Sequence, residues 1–330
     1  MKISLILFLS FLVWACNSQD DASSPFDEIL SQPPFASITD SIRKQPDRDD
    51  LYFRRAVLLN KNNLPEPALM DFRKAWSIAP AESYAVGVSN ILLEKKPDSA
   101  VIFLKKAIEE IPNSLFLQLS LARAYDAQGK TDEALAACNY LLQNEPGQVN
   151  ALMLKSDLLL KKEDTSGAIT ALERAYSSVP FNREISNKLA YQYAEAKNNK
   201  AISLADSLIR KDSLKLFAEP YYVKGMYYSN IKDGAKAIQQ FDATIKQDHR
   251  FLNAYIEKGK ILFDQKKTAE ALKTFELANR ITPSFPDAWY WMGRCQEISG
   301  QKDQAKLNYE KAYSLDKTFT EAKEAAEKIR

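Results

Sequence analysis

One alanine recurs along the whole chain. Ala68, Ala100, Ala134, Ala168, Ala201, Ala237, Ala271 and Ala305 are separated by 32, 34, 34, 33, 36, 34 and 34 residues. A period of this size means that one small structural unit is built again and again, which constrains the fold more than any local propensity does. Seven residues on lies a second column, Ala75, Ala107, Ala175, Ala278 and Ala312, with Leu141, Leu208 and Thr244 in its gaps. Between the columns sit Phe72, Leu104, Cys138, Leu172, Ala205, Phe241, Phe275 and Tyr309. Spacings of 3, 4 and 7 place all of them on one face of a helix. Small residues at a crossing let two helices approach closely, and larger neighbours fill the grooves beside them. Pro80, Pro112, Pro146, Pro180 and Pro283 close five frames, because proline cannot continue a helix interior. Turn residues ("NKNN", "QGK", "SGQK") separate the two helices of a frame. Only nine glycines occur in 330 residues, which argues against an all-β fold.

The phase is sharpest near the C-terminus. Residues 254–283 superimpose on 288–317 at a shift of 34, and Gly225, Gly259 and Gly293 also fall 34 apart. This helix–turn–helix pattern resembles the tetratricopeptide repeat. The matching residues are Trp289, Gly293, Ala305, Tyr309 and Ala312; Tyr255, Gly259, Leu262, Ala271, Phe275, Ala278 and Pro283; Tyr221, Gly225, Tyr228, Ala237 and Phe241; and Tyr52, Ala56, Leu59, Ala68, Phe72, Ala75 and Pro80. The resemblance implies an all-α, right-handed superhelical solenoid of about eight repeats over 49–318, closed by a capping helix over 319–330. The fifth frame, about 183–217, departs from the pattern. Its turn is one residue short and it lacks the closing proline, which predicts a bend or a longer second helix there.

The front of the chain carries a different signal. Lys2 precedes a twelve-residue apolar run, Ile3 to Trp14. A membrane-spanning helix needs roughly 20 residues, so this run has the length of a signal-peptide core. Val13-Trp14-Ala15-Cys16 follows and resembles a bacterial lipobox. The resemblance implies a signal peptide over 1–15, cleavage before Cys16 and lipid attachment to Cys16; the alternatives are an uncleaved anchor or a misplaced start. Asn17 after the cysteine implies sorting to the outer membrane. "CNSQDD" resembles the acidic export tag of surface lipoproteins in one Gram-negative phylum, and the periplasmic and cell-surface faces both stay open. Residues 16–48 read as a tether, rich in Ser, Asp, Gln and Pro, with one or two helical turns over 37–44.

Composition removes several functions. Lys plus Arg is 45 and Asp plus Glu is 43, so the net charge of +2 offers no basic patch for nucleic acid. The single histidine, His249, sits in a loop position, and the three cysteines have neither a C-x-x-C pair nor a neighbouring histidine. Cys138 falls in a core column and reads as a small buried residue. No phosphate-binding or hydrolase motif occurs and the glycines are dispersed. No cofactor, metal or catalytic residue is expected.

The remaining candidate site is the groove lined by the first helix of each repeat, where this family meets its ligands. By resemblance the inner positions include Arg123, Asp157, Tyr191, Tyr222, Met226, Ile256, Lys260, Tyr290 and Arg294. Tyrosine rings interleaved with Arg and Lys suit a peptide or a helix of a protein partner. The carboxylate clamp of chaperone-binding members is not carried: its places hold Tyr222, Met226, Glu257, Asp287 and Trp291. The expected function is a membrane-anchored, non-catalytic adaptor holding a protein or peptide partner. The alternative is a structural subunit of an envelope assembly or secretion machine.

Overall fold

The computed structural model describes residues 25–214 and 216–329. The signal segment, Cys16 and the start of the tether lie outside the described residues. Among the described residues there are nineteen helices and no strand. Two helices, α1 (Asp27–Leu30) and α2 (Ala36–Lys44), precede eight antiparallel pairs. The pairs are α3 (Asp49–Lys61) with α4 (Pro65–Ile78), α5 (Glu82–Lys95) with α6 (Pro97–Glu110), α7 (Leu115–Ala127) with α8 (Thr131–Asn144), and α9 (Val149–Lys161) with α10 (Thr165–Ser178). Then come α11 (Arg183–Glu195) with α12 (Lys200–Lys211), α13 (Glu219–Asn230) with α14 (Gly234–Gln247), α15 (Leu252–Asp264) with α16 (Thr268–Ile281), and α17 (Pro286–Ile298) with α18 (Lys302–Leu315). The last helix is α19 (Thr320–Lys328). The chain divides between Leu117 and Gln118, within α7, into two compact units.

The alanine columns do what their spacing predicts. All eight alanines of the first column have zero exposure, as do Ala75, Ala107, Ala175, Ala278 and Ala312 of the second. The prolines act as stops: α4, α6, α8, α10 and α16 each end two residues before Pro80, Pro112, Pro146, Pro180 and Pro283. The residue before a proline is pushed out of the helical region, so the helix closes one position earlier. Seven pairs share one turn. A residue with positive φ (Asn63, Gly129, Glu163, Lys197, Lys232, Lys266 or Gly300) ends the first helix. The next amide then donates to the carbonyl five residues back, as in Asp164 to Leu159 at 2.9 Å and Lys267 to Leu262 at 2.9 Å. That bond satisfies a carbonyl the helix end would otherwise leave open.

In the N-terminal unit the tether reading stops short. Leu30, Phe35 and Ile42 are buried, and α2 packs on α3. Arg55 on α3 adds a polar link to this apolar contact. Its Nε and Nη2 donate to Asp71 Oδ2 and Oδ1 of α4 at 2.6 and 2.8 Å, and its Nη1 donates to Thr39 Oγ1 of α2 at 3.1 Å. All three side chains are buried. Burial raises the Asp71 carboxyl above its usual pKa, and Arg55 opposes that rise. Helical turns are expected over 37–44, and there α2 packs on α3 through Thr39 and Ile42, while residues 44–48 are exposed.

In the C-terminal unit the fifth pair corrects another expectation. Its second helix, α12, has 12 residues where α8, α10, α14, α16 and α18 have 14. The described residues beyond it, 212–214 and 216–218, are non-helical, and Leu214 and Leu216 are exposed. At the C-terminus, Ala322, Ala326 and Ile329 are buried, and α19 packs on α18.

Candidate functional site

Within the C-terminal unit, α11, α13, α15 and α17 are the first helices of four successive repeats. Tyr191 lies on α11, Tyr222 and Met226 on α13, Lys260 on α15, and Tyr290 and Arg294 on α17. The Tyr222 ring is held 4.9 Å from Phe251 and 5.7 Å from Phe241. Burial is the main force raising its phenol pKa, with Glu257, Tyr191 and Glu195 adding to it. Tyr191, exposed, is raised by burial of its ring, by Glu195 and by Glu257. Two tyrosines and two glutamates of α11, α13 and α15 thus share one neighbourhood.

Glu257 links that end to the next. Its Oε1 accepts from Lys260 Nζ at 2.7 Å, an i,i+3 pair on α15. Lys260 Nζ also lies 5.6 Å from the centre of the Trp291 ring. Trp291 packs 5.8 Å from Phe275, nearly parallel, and edge-on at 5.6 Å to both Phe263 and Tyr290. Arg294 closes the series. Its Cζ is 5.7, 5.8 and 6.0 Å from the Phe263, Trp291 and Tyr290 rings. Its Nη1 donates to Tyr290 Oη at 3.2 Å. Burial alone would lower the guanidinium pKa; the Tyr290 hydrogen bond and the nearby Tyr290, Tyr309 and Glu297 groups outweigh it, so the net shift is upward. Among the described residues Arg294 has no ion-pair partner within 4.0 Å, while Lys260 has one. A guanidinium laid against rings, bonded only to a neutral hydroxyl, keeps its fork of donors for a carboxylate.

Of the other sequence candidates, Arg123 and Asp157 lie on α7 and α9, outside this cluster, while Met226 packs against the same core as Tyr222 and Ile256 belongs to the core that Trp291 packs against. Arg123 is exposed on α7. Asp157 on α9 is already engaged, both of its oxygens accepting from Lys188 Nζ at 3.0 Å. Met226 packs in the core clusters around Val223 and Phe241, and Ile256 is buried beside Tyr255. Four residues join the site that groove positions alone did not nominate: Glu195, Glu257, Phe263 and Trp291. The signal for Glu257 was Lys260 three residues on. Trp291, like Glu257, stands at a place where chaperone-binding members carry their clamp, a signal set aside because its residue type does not fit the clamp.

Comparison with known proteins follows the repeat phase. The tetratricopeptide repeat family model matches residues 119–183 and 222–284, and a second tetratricopeptide repeat model matches 286–319. Human tetratricopeptide repeat protein 21A is 26% identical over 184 residues, 55% of this chain and 14% of that protein. Mouse superkiller complex protein 3 is 24% identical over 260 residues, 73% of this chain and 17% of that protein. The chain therefore spans less than a fifth of the length of either relative. The crystal structure of a tetratricopeptide repeat protein from Parabacteroides merdae superposes with a TM-score of 0.52 and 15% identity, over 84% of this chain and 97% of that one. Residues 119–183, 222–284 and 286–319 are tetratricopeptide repeats, a scaffold for protein interaction, and the flanking helix pairs carry the same buried alanine column.

Proposed function

We propose that this chain is a non-catalytic adaptor, anchored by lipid on Cys16 at the outer membrane, that binds an extended peptide or a helix of a protein partner along α11, α13, α15 and α17. The observation that carries the groove reading is Arg294, a part-buried guanidinium among three rings with no ion pair of its own. The opposite end, with Tyr191, Tyr222, Glu195 and Glu257, suits a basic or amide-rich stretch of the same ligand. Tyrosine and arginine are the side chains that most often dominate binding energy at interfaces. Recovery of partners on the full-length chain from its own cells tests this. The double change Tyr222→Ala, Arg294→Ala is expected to lose at least about 2 kcal/mol of partner affinity with the helical signal intact. Equal recovery by mutant and wild type would refute the groove reading.

The anchor has its own test. Cys16→Ala is expected to abolish fatty-acid labelling of the cells' protein while the repeats, which begin some thirty residues later, stay folded. Label that persists on the mutant, or a mature N-terminus other than Cys16, would exclude the lipobox reading.

A second reading is a structural subunit of an envelope machine. Met70, Ile102 and Leu307 favour it. They are exposed, on second helices, each two residues after the first-column alanine. Loss of solubility on Ile102→Glu would count against it, and loss of a co-purifying complex would support it.

A further inference from the structure

At two junctions of the C-terminal unit one pair of repeat positions links successive repeats by charge, whereas at the α10–α11 junction the same positions, Glu173 and Lys188, pair with Lys200 and Asp157 instead. The first position lies five residues after a first-column alanine, on a second helix. The other lies thirteen residues before the next such alanine, on the following first helix. At these positions Lys224 Nζ of α13 meets Asp206 Oδ1 of α12 at 2.8 Å, and Lys258 Nζ of α15 meets Asp242 Oδ1 of α14 at 2.6 Å. The same register on α9 and α8 holds Lys155 and Asn139. Lys155 Nζ donates to Asn139 Oδ1 at 2.6 Å, and no carboxylate among the described residues pairs with it. An amide oxygen fills the geometry of the missing aspartate without its charge.

A second cation faces the same place. Lys155, Asn139 and Arg174 line one open cleft of about 320 Å³ between α8, α9 and α10. Arg174 Nη2 donates to the Pro146 carbonyl at 2.8 Å, again a neutral acceptor. The one acid in the lining is Asp164, and its Oδ1 is committed to capping α10 through the Gly167 amide at 2.8 Å. Two cations against one committed acid leave an excess positive charge. Leu135 and Leu159 form part of the wall, which weakens solvent screening there.

We propose that this cleft binds a carboxylate supplied in trans by an acidic side chain of a partner protein, in the place that Asp206 and Asp242 fill within the chain. A lone carboxylate in an open cleft binds weakly and fills it only at high concentration. One carried by a protein already docked on the scaffold arrives at high effective concentration. The site is separate from the α11–α17 groove and does not depend on it.

The test is a titration of the full chain with acetate against chloride at constant ionic strength, read at the Arg174 side-chain Nε–H resonance. A blocked peptide with one glutamate and its glutamine counterpart are run alongside. Acetate and the glutamate peptide are expected to move the resonance saturably, and the glutamine peptide is not. Asn139→Asp places the missing acid in the chain and is expected to abolish the response, with melting temperature unchanged or raised at low salt. Asn139→Ala removes only the amide and is expected to keep it. Arg174→Gln, read by the rise in melting temperature with acetate, is expected to weaken binding at least about tenfold, the worth of one charge-assisted hydrogen bond. No saturable shift in the wild type, or equal affinity for acetate in wild type and Asn139→Asp, would overturn the proposal. Far tighter binding of a small dicarboxylate than of the glutamate peptide would assign the site to a metabolite and overturn it as well.

Discussion

The fifth helix pair and the three after it solve one packing problem in two ways. In pairs six to eight a glycine seven residues before the left-handed turn residue lies under a ring of the second helix. A methyl group added to Gly225, Gly259 or Gly293 would stand 2.5, 2.3 and 2.7 Å from ring carbons of Phe241, Phe275 and Tyr309. Those rings have zero exposure. In the fifth pair the corresponding residues are Ala190 and Ala205, both with zero exposure. There alanine stands at both positions. Its turn is tighter too: the Ala201 amide bonds to Asn198 three residues back, where Ala168 and Ala237 bond four back to Asp164 and Asp233. One deleted turn residue rotates the second helix by about 100°, and a tighter first turn restores the buried face. The repeat models match 119–183 and 222–284 and leave the fifth pair between them. The lesson is that the fold keeps its buried column while the pair of sizes that fills it is free to change.

The largest expected effect sharpens that contrast directly. Phe275→Ala empties a fully buried ring site and should cost about 3–5 kcal/mol. Ala205→Gly, at the same register of the fifth pair, removes one methyl and should cost about 1 kcal/mol, mostly helix propensity. Urea melts of the two variants check this, and similar losses would mean the fifth pair holds as much buried bulk there as the seventh.

Next comes the glycine. Gly259→Ala drives a methyl into the Phe275 ring and should cost about 1–3 kcal/mol. In a Phe275→Ala background the same change should turn stabilising, since the obstruction is gone and alanine is the better helix former. The coupling between the two is read from a double-mutant cycle. Additive energies would show that ring and glycine do not meet.

The period carried most of this architecture in plain view. Alanine columns, proline stops and turn residues are local and repeat, so eight copies average out the exceptions. What the period hid was whatever happens once. The departures of the fifth frame suggested a bend or a longer second helix, yet α12 is two residues shorter than its counterparts, and Ser213, Leu214 and Leu216 beyond it are exposed. The segment up to about Gln32 read as tether by composition, with a helical turn or two expected over 37–44. The docking of α2 includes the third arm of Arg55, a side chain sixteen residues from Thr39 whose partner set cannot be read from spacing. The sequence offered the candidate groove only as a set of repeat positions. Its chemistry was not legible, since pairing Lys260 while leaving Arg294 without a carboxylate depends on which neighbours reach them in space.

The smallest effect concerns how the fifth pair is held to the fourth. Glu173 of α10 accepts hydrogen bonds from Tyr193 Oη of α11 and from Lys200 Nζ of α12, the latter at 2.9 Å. The Tyr193 bond, then the Lys200 bond, hold the Glu173 carboxyl below its usual pKa. A carboxylate whose folded-state pKa lies below its unfolded value adds stability above that unfolded value, near about 4.3. The contribution fades as pH falls through the folded pKa. The side chain is 39% exposed, so solvent screening holds the contribution to about 1 kcal/mol or less. Glu173→Gln should therefore lower stability slightly at neutral pH and match the wild type once the pH falls below the folded-state pKa of Glu173. Pairs six to eight, filled by rings instead, should show no comparable loss in the Gly259→Ala variant as pH changes. A wild-type advantage over Glu173→Gln that stays constant into acid would mean that the link between the fourth and fifth pairs rests on packing and not on this carboxylate.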